Sequence, residues 1–198
     1  MKFDTKGIIV LDRELSDLDR FTLEFTTVLE KHVSYVIVSG YVSILFGRAR
    51  ASEDIDIIIP KIGFPSFQKV YRELKKNSWY CLNAEKDSDV FDYLQENLPI
   101  RFANQGKVIP NIELKQAKNR FDDLALQKTV RVKLSEGELI ISHLELQIAF
   151  KEAVLKSPKD REDARHLRTV AEGYLDEPLI QLYKEELHEF FYKRKPKT

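Results

Sequence analysis

Asp54 and Asp56 stand two residues apart in the run Glu53-Asp-Ile-Asp-Ile-Ile-Ile59. Alternate side chains of an extended chain share a face, so both carboxylates project from one side of a strand while Ile55, Ile57 and Ile59 point to the other. Two carboxylates that close repel each other. A strand that opens on such a pair is easiest to understand if a hard divalent cation, Mg²⁺ or Mn²⁺ with oxygen ligands and retained waters, neutralises it. The competing reading is a solvated acidic edge with Arg48 and Arg50 as structural ion-pair partners. Just upstream, the β-rich run Tyr35-Val-Ile-Val38 ends on Ser39-Gly40 and leads into the short apolar stretch Val42 to Phe46. A strand that feeds small residues and then a helix presents free backbone N–H groups that a side chain does not block, which suits a phosphate. A plain turn is the alternative there.

The elements that must hold these residues are legible from periodicity. Ser16 caps a helix whose Leu18, Phe21, Phe25, Val28 and Leu29 share one face. Strands follow at Tyr35–Val38 and Ile55–Ile59, with a short helix between them. Phe64–Lys76 reads as a helix with Phe67, Val70, Tyr71 and Leu74 inward, and Trp79–Leu82 as a strand, giving the order α-β-α-β-α-β. A short helix near Val90–Leu94 and strands at Ile100–Ala103, Ile112–Lys115 and Thr129–Leu134 complete an α/β half. After Ser135-Glu-Gly137 the pattern turns helical. Ser142 with Glu145 predicts a capping box for a helix over Leu144–Leu155, Ser157-Pro158 opens a second and Glu177-Pro178 a third. The expected organisation is an α/β domain over 1–135, a helical domain over 136–192, and a basic, solvated tail over 193–198.

Composition narrows the function classes. The 198 residues carry 32 Lys+Arg and 32 Asp+Glu, which argues against wrapping nucleic acid by bulk charge. A single cysteine, Cys81, forms no internal disulfide, and its apolar strand makes it core material rather than a nucleophile. The four histidines lack the cysteine partners and spacing of a zinc site, and His166 has no assigned role. The longest largely apolar stretch, Tyr35–Phe46, is short of the roughly 20 residues that span a bilayer, and Ile8–Leu11 is too short for a secretory leader. A reducing cytoplasm fits these features.

The stretch from Ser39 to Asp56 resembles the signature of the nucleotidyltransferase superfamily, the polymerase-β-like fold: Gly-Gly or Gly-Ser, a spacer of about a dozen residues, then Asp-hydrophobic-Asp. More narrowly it is similar to AbiEii-like, toxin-type members, with Gly40, Tyr41, Gly47, Arg50, Ser52, Asp54 and Asp56 in register and Ser39 in place of the first glycine. The resemblance implies a mixed sheet flanked by helices, with a C-terminal helical domain closing a nucleotide cleft. It also implies transfer of a nucleoside monophosphate from an NTP to a hydroxyl of an RNA end such as tRNA, a protein or a small molecule, releasing pyrophosphate. Two metal ions would be held by Asp54, Asp56 and a third carboxylate, with Ser39, Gly40, Arg50 and Ser52 on the phosphates. A non-catalytic member of a toxin–antitoxin or regulatory pair, with a cognate partner protein, is the alternative. A metal-dependent nuclease would have no use for the Gly40 loop.

Glu113 is the candidate third carboxylate, because Ile112 and Leu114 face the core and leave Glu113 and Lys115 on the opposite face. Its rivals, Asp122 and Asp123, look like helix-start acids. In the helical half, related enzymes place a lysine on one helix and Lys-Asp-x-x-Asp on the next. Lys151 and Lys159-Asp-Arg-Glu-Asp163 match this pattern, and Lys151 and Asp163 are expected to act at the site while contributing little to stability. Asp160 has a simpler role at its helix start.

Overall fold

The structure, a computed structural model, describes residues 2–3 and 7–193. The proposed basic tail therefore lies outside the described residues except for Lys193. Among the described residues, nine strands form one mixed sheet in the order β1-β2-β8-β9-β3-β4-β7-β6-β5. They are β1 (Lys2–Phe3), β2 (Ile8–Val10), β3 (Val36–Val38), β4 (Asp54–Ile59), β5 (Trp79–Cys81), β6 (Ile100–Asn104), β7 (Asn111–Gln116), β8 (Thr129–Lys133) and β9 (Glu138–Ser142). The centre is β3-β4-β7, where β4 runs antiparallel to β3 and parallel to β7.

One face of this centre is apolar. Ile37, Ile55, Ile57, Ile112, Leu114 and Phe102 are all fully buried, on the side that α1 (Asp17–Leu29) and α3 (Phe64–Lys76) cover. Phe25 from α1 meets Trp79 and Phe102 with ring centroids 4.9 and 5.7 Å apart. Each such buried side chain stabilises the fold by about 1.5–3 kcal/mol. α1 starts as its sequence predicts: Ser16 and Asp19 form a reciprocal capping box. The Asp19 carboxylate is completely buried, accepting from Arg13 at 2.7 Å and from the Tyr41 hydroxyl at 2.7 Å. It thereby ties α1 to α2 (Gly40–Leu45), the helix that follows the Ser39 turn.

The opposite face carries charge and is met by α5 (Arg120–Gln127) and α6 (Leu144–Phe150), while α7 (Pro158–Val170) packs on α2 and α6, and α8 (Glu177–His188) on α6. The remaining helix, α4 (Asp87–Gln95), packs Val90 and Leu94 into the core. Three expectations fail here for physical reasons. The sheet does not end at residue 135, because Glu138–Ser142 turns back as β9, antiparallel to β8 and parallel to β3, so the change to helices falls at His143. The Ser142–Glu145 capping box is absent: His143 is the N-cap, the Ser142 hydroxyl accepts from Gln147 Nε2 at 2.7 Å, and Glu145 accepts the Asp176 backbone N–H instead. The predicted Leu144–Leu155 helix is also not uniform. It changes to a π-helical turn at Lys151–Leu155, a distortion that often accompanies functional positions.

Candidate active site

The register of β4 and β7 builds the acidic part of the site. Asp56 pairs directly with Glu113 and Asp54 with Asn111, while Glu113 in turn pairs with Arg101 on β6. Val38, Asp56, Glu113 and Arg101 thus form a row across four strands, on the face opposite the isoleucines. Lys115, two residues after Glu113 and on the same face, reaches back so that its Nζ lies 2.7 Å from both Asp56 Oδ1 and Glu113 Oε1. Arg101 takes the other Glu113 oxygen at 2.6 Å. Burial raises the Asp56 carboxyl, and although Lys115 pulls it down, Glu113 and Asp54 push it up again, so it stays above its ordinary value. Burial would also raise Glu113, but Lys115 and Arg101 together outweigh it and hold that carboxyl low. Asp54, at the strand start, lies 3.4 Å from the Ser52 hydroxyl.

The Ser39 turn is built differently from the open loop that the sequence suggests. Ser39 has φ 68° and ψ −137°, a region that glycine occupies freely and other residues only under strain. Its backbone N–H is not free, because Gln147 Oε1 accepts it at 3.1 Å. Gly40 is small for a different reason than phosphate access alone: a Cβ there would come within 2.8 Å of the Arg50 guanidinium, which lies against the backbone.

Arg50 and Arg48 do not pair with Asp54 or Asp56. Both donate to Asp163, Arg50 Nη1 at 2.6 Å and Arg48 in close contact, and Lys151 Nζ reaches the same carboxylate at 2.9 Å. Three cations from two regions, 111–115 residues apart for the arginines and α7, converge on one fully buried acid. Full burial among three cations argues against the expectation that Asp163 contributes little to stability, because its loss would leave those charges uncompensated. Burial pushes the Lys151 ammonium down to about 8, with Arg50 and Arg48 acting in the same sense against Asp160 and Asp56. Asp160 accepts from the Ser157 hydroxyl and donates its backbone N–H to the same oxygen, so Ser157 caps α7 and Asp160 sits in its first turn, as its position at the helix start suggests. Asp122 sits in the first turn of α5, where it accepts from Lys118 N and Asn119 Nδ2.

A cavity of about 280 Å³ joins the two clusters. Its polar lining includes Ser39, Asp56, Lys115, Gln147 and Lys151, and its apolar lining includes Phe121, Leu146, Phe150 and Phe191. Asp54, Glu113 and Asp163 are not among its lining residues, and Arg50 and Ser52 line a separate cavity beside α1. Sequence reasoning missed Lys115, Gln147, Arg48 and Arg101 as parts of the site. The position of Lys115 on the Glu113 face was the available signal for one of them, and nothing local marked Gln147.

The donor chemistry suits a hard divalent cation. Asp54, Asp56 and Glu113 offer oxygens on one sheet face, the nearby buried Asn111 Oδ1 has no hydrogen-bond partner, and the space between Asp56 and Glu113 already accommodates positive charge. Among the described residues, no three acid, histidine or cysteine side chains converge as a set that could hold a metal ion, and both Glu113 oxygens are taken by Lys115 and Arg101.

No family model and no curated protein matches this sequence. Solved structures do. The antibiotic-resistance factor ANT(2'')-Ia, determined in solution, superimposes with a TM-score of 0.53 at 13% identity, over 89% of this chain and 95% of that one. An antigenic nucleotidyltransferase-like protein from Paracoccidioides brasiliensis gives 0.51 at 13% identity, over 89% of this chain and 90% of that one. At such identity the likeness concerns the fold, which is nucleotidyltransferase-like: a mixed sheet flanked by helices with further helices after it. No helix among the described residues is long and apolar enough to cross a membrane.

Proposed function

We propose that this chain is a metal-dependent nucleotidyltransferase that moves a nucleoside monophosphate from an NTP to a hydroxyl acceptor, with release of pyrophosphate. The observation that carries the reading is that Asp56, paired with Glu113 across β4 and β7, lines a cavity whose lining also includes Ser39 and Lys151. Acid and cation-bearing elements thus meet at one space of a size for a small ligand. Asp54, Asp56 and Glu113 would hold Mg²⁺ or Mn²⁺, which when bound neutralises phosphate charge and lowers the pKa of an acceptor hydroxyl.

The chain's own residues divide the remaining work. Lys151 faces the cavity as an ammonium and neutralises charge that builds on the phosphates, an interaction that strengthens in a dry site. Asp163 touches no ligand in this reading. It positions Lys151, Arg48 and Arg50, and Arg50 in turn packs on Gly40. The Ser39 N–H becomes a phosphate donor once Gln147 yields it, and Ser52 orients Asp54. The apolar wall of Phe121, Phe150 and Phe191 excludes water from the reacting end. Residues 143–193 act as the helical part that closes the cleft, and the wider setting is that of an AbiEii-like, toxin-type enzyme of the cytoplasm, with a cognate partner protein and a tRNA, protein or small-molecule acceptor.

A specific observation favours a second reading. Both Glu113 oxygens are already taken by Lys115 and Arg101, as befits a non-catalytic nucleotidyltransferase-like binding protein. Incubation with each α-labelled NTP, Mg²⁺ and total cell extract separates the two. Transfer of label to one size class, lost in Asp54→Asn/Asp56→Asn, supports the enzyme; absence of transfer with every NTP refutes it.

A further inference from the structure

We infer that Lys115 is a built-in counter-ion of the Asp56–Glu113 pair, which it occupies in the absence of a divalent cation and vacates when one binds, so that this lysine sets how strongly the nucleotide-free site takes metal. The inference rests on the metal role proposed above. It begins with register. Lys115 pairs with Ile58, two residues along β7 from the Asp56–Glu113 pair and so on the same face, and its four-carbon stem is long enough to bring the ammonium back between the two carboxylates, 2.7 Å from an oxygen of each. An ammonium is a compact point charge on a flexible stem and fills a cation position without the planar demands of a guanidinium.

Three features make this lysine a removable occupant rather than a fixed strut. Its side chain is 34% exposed, in contrast to Lys151 at 1%, so it has a path to solvent without unpacking the core. It also lines the cavity, where a triphosphate would offer the displaced ammonium a new anionic partner. Finally, Lys115 and Arg101 bring two positive charges to a sheet face that carries three carboxyl groups, Asp54, Asp56 and Glu113, so one more cation is not in excess there. Arg101 retains Glu113 Oε2 from the neighbouring strand whichever way Lys115 points. The consequence is a site that resists metal alone and accepts it together with a polyanion.

The test uses the full chain without nucleotide. Mn²⁺ binding is followed through the free-ion paramagnetic resonance signal, and melting is measured with and without MnCl₂, for wild type, Lys115→Met, Lys115→Arg and Lys115→Met/Asp56→Asn. The Met variant is expected to bind Mn²⁺ roughly tenfold or more tightly than wild type, the scale on which a neighbouring opposite charge shifts a carboxylate equilibrium, and to gain melting temperature on adding it. The Arg variant should behave as wild type, and the double variant should lose the gain. Recovery of folded Met variant only in the presence of Mn²⁺ also supports the inference. Lys115→Gln replaces it if it fails to fold under both conditions, with the same expectation. Mn²⁺ affinity of the neutral variants equal to or below that of wild type overturns the inference. If wild type nevertheless binds Mn²⁺ with an NTP, the transferase reading survives that failure; tight metal in Lys115→Met with no metal–nucleotide binding by wild type upholds Lys115 and sinks the transferase reading.

Discussion

The two charged clusters on either side of the cavity are inverted images of each other. On the sheet, one ammonium lies between two carboxylates; between α2 and α7, one carboxylate lies among three cations. Their surroundings differ more than their charges. Asp163 is 0% exposed and Lys151 1%, whereas Lys115 and Arg101 keep 34% and 46% of their side chains open. A buried pair that loses one member leaves an uncompensated charge in a low dielectric, while a half-open one is rescued by water. The helix-side cluster is thus suited to holding the helical layer against the Gly40 turn, and the sheet-side cluster to exchanging its partners for a ligand. The same residue types serve rigidity in one place and exchange in the other because of depth.

The largest effect should come from the buried side. Asp163→Ala leaves Arg48, Arg50 and Lys151 facing one another and should cost about 3–5 kcal/mol, lowering the melting temperature by roughly 10 °C in a chain of this size. A change of a degree or two by calorimetry would mean that the cluster is not what fixes α7. Asp54→Asn/Asp56→Asn should do the reverse: melting near that of wild type, but nucleotidyl transfer reduced on the order of a hundredfold or more, the usual scale for losing a charge-stabilising group. Retained transfer would move the chemistry away from the sheet row.

A subtler contrast lies in pH. With Lys151 near 8, its charge falls away above that pH in the nucleotide-free protein, so NTP binding should weaken as pH rises past 8. Lys151→Arg should postpone that loss. Stability moves oppositely: the unfolded lysine stays protonated to its ordinary 10.5, so unfolding takes up a proton between about pH 8 and 10.5 and this group's contribution to stability rises with pH there. Denaturant melts of wild type and Lys151→Met at pH 7.5 and 9.5 read this difference directly; equal pH slopes would place the lysine at its ordinary value.

The smallest effect concerns the turn between the clusters. Ser39→Gly removes the strain of a positive φ and should leave stability unchanged or raise it by up to about 1 kcal/mol. Gly40→Ala should push Arg50 off the backbone and weaken NTP binding more than Ser43→Ala does. Identical nucleotide affinities for these last two variants would show that Arg50 need not sit on Gly40.

How much of this was readable beforehand follows the range of the forces involved. Helix starts such as Ser16 and Ser157, the face alternation of β4 and β7, and the place of Asp122 in the first turn of a helix depend on neighbours a few residues away, and they were legible. β9 was not. Its residues Leu139, Ile140 and Ile141 form a continuous apolar run, with Leu139 and Ile141 buried and Ile140 half-buried, so no alternation of residue type marks it as a strand. β2 gives no signal of its own either, since three residues are too few for a periodic pattern and its place in the sheet depends on pairing with β8, more than a hundred positions away.

Local chemistry by itself determined which groups line one strand face, because the two-residue repeat of an extended chain is fixed by backbone sterics. Which charge neutralises which was decided only by the fold. Arg48 and Arg50 stand a few residues from Asp54 and Asp56 and still turn to Asp163, while Lys115 crosses to Asp56, 59 positions back. Electrostatic energy depends on distance and burial in space, and neither quantity exists for these pairs until the sheet register and the packing of α7 against α2 have set them.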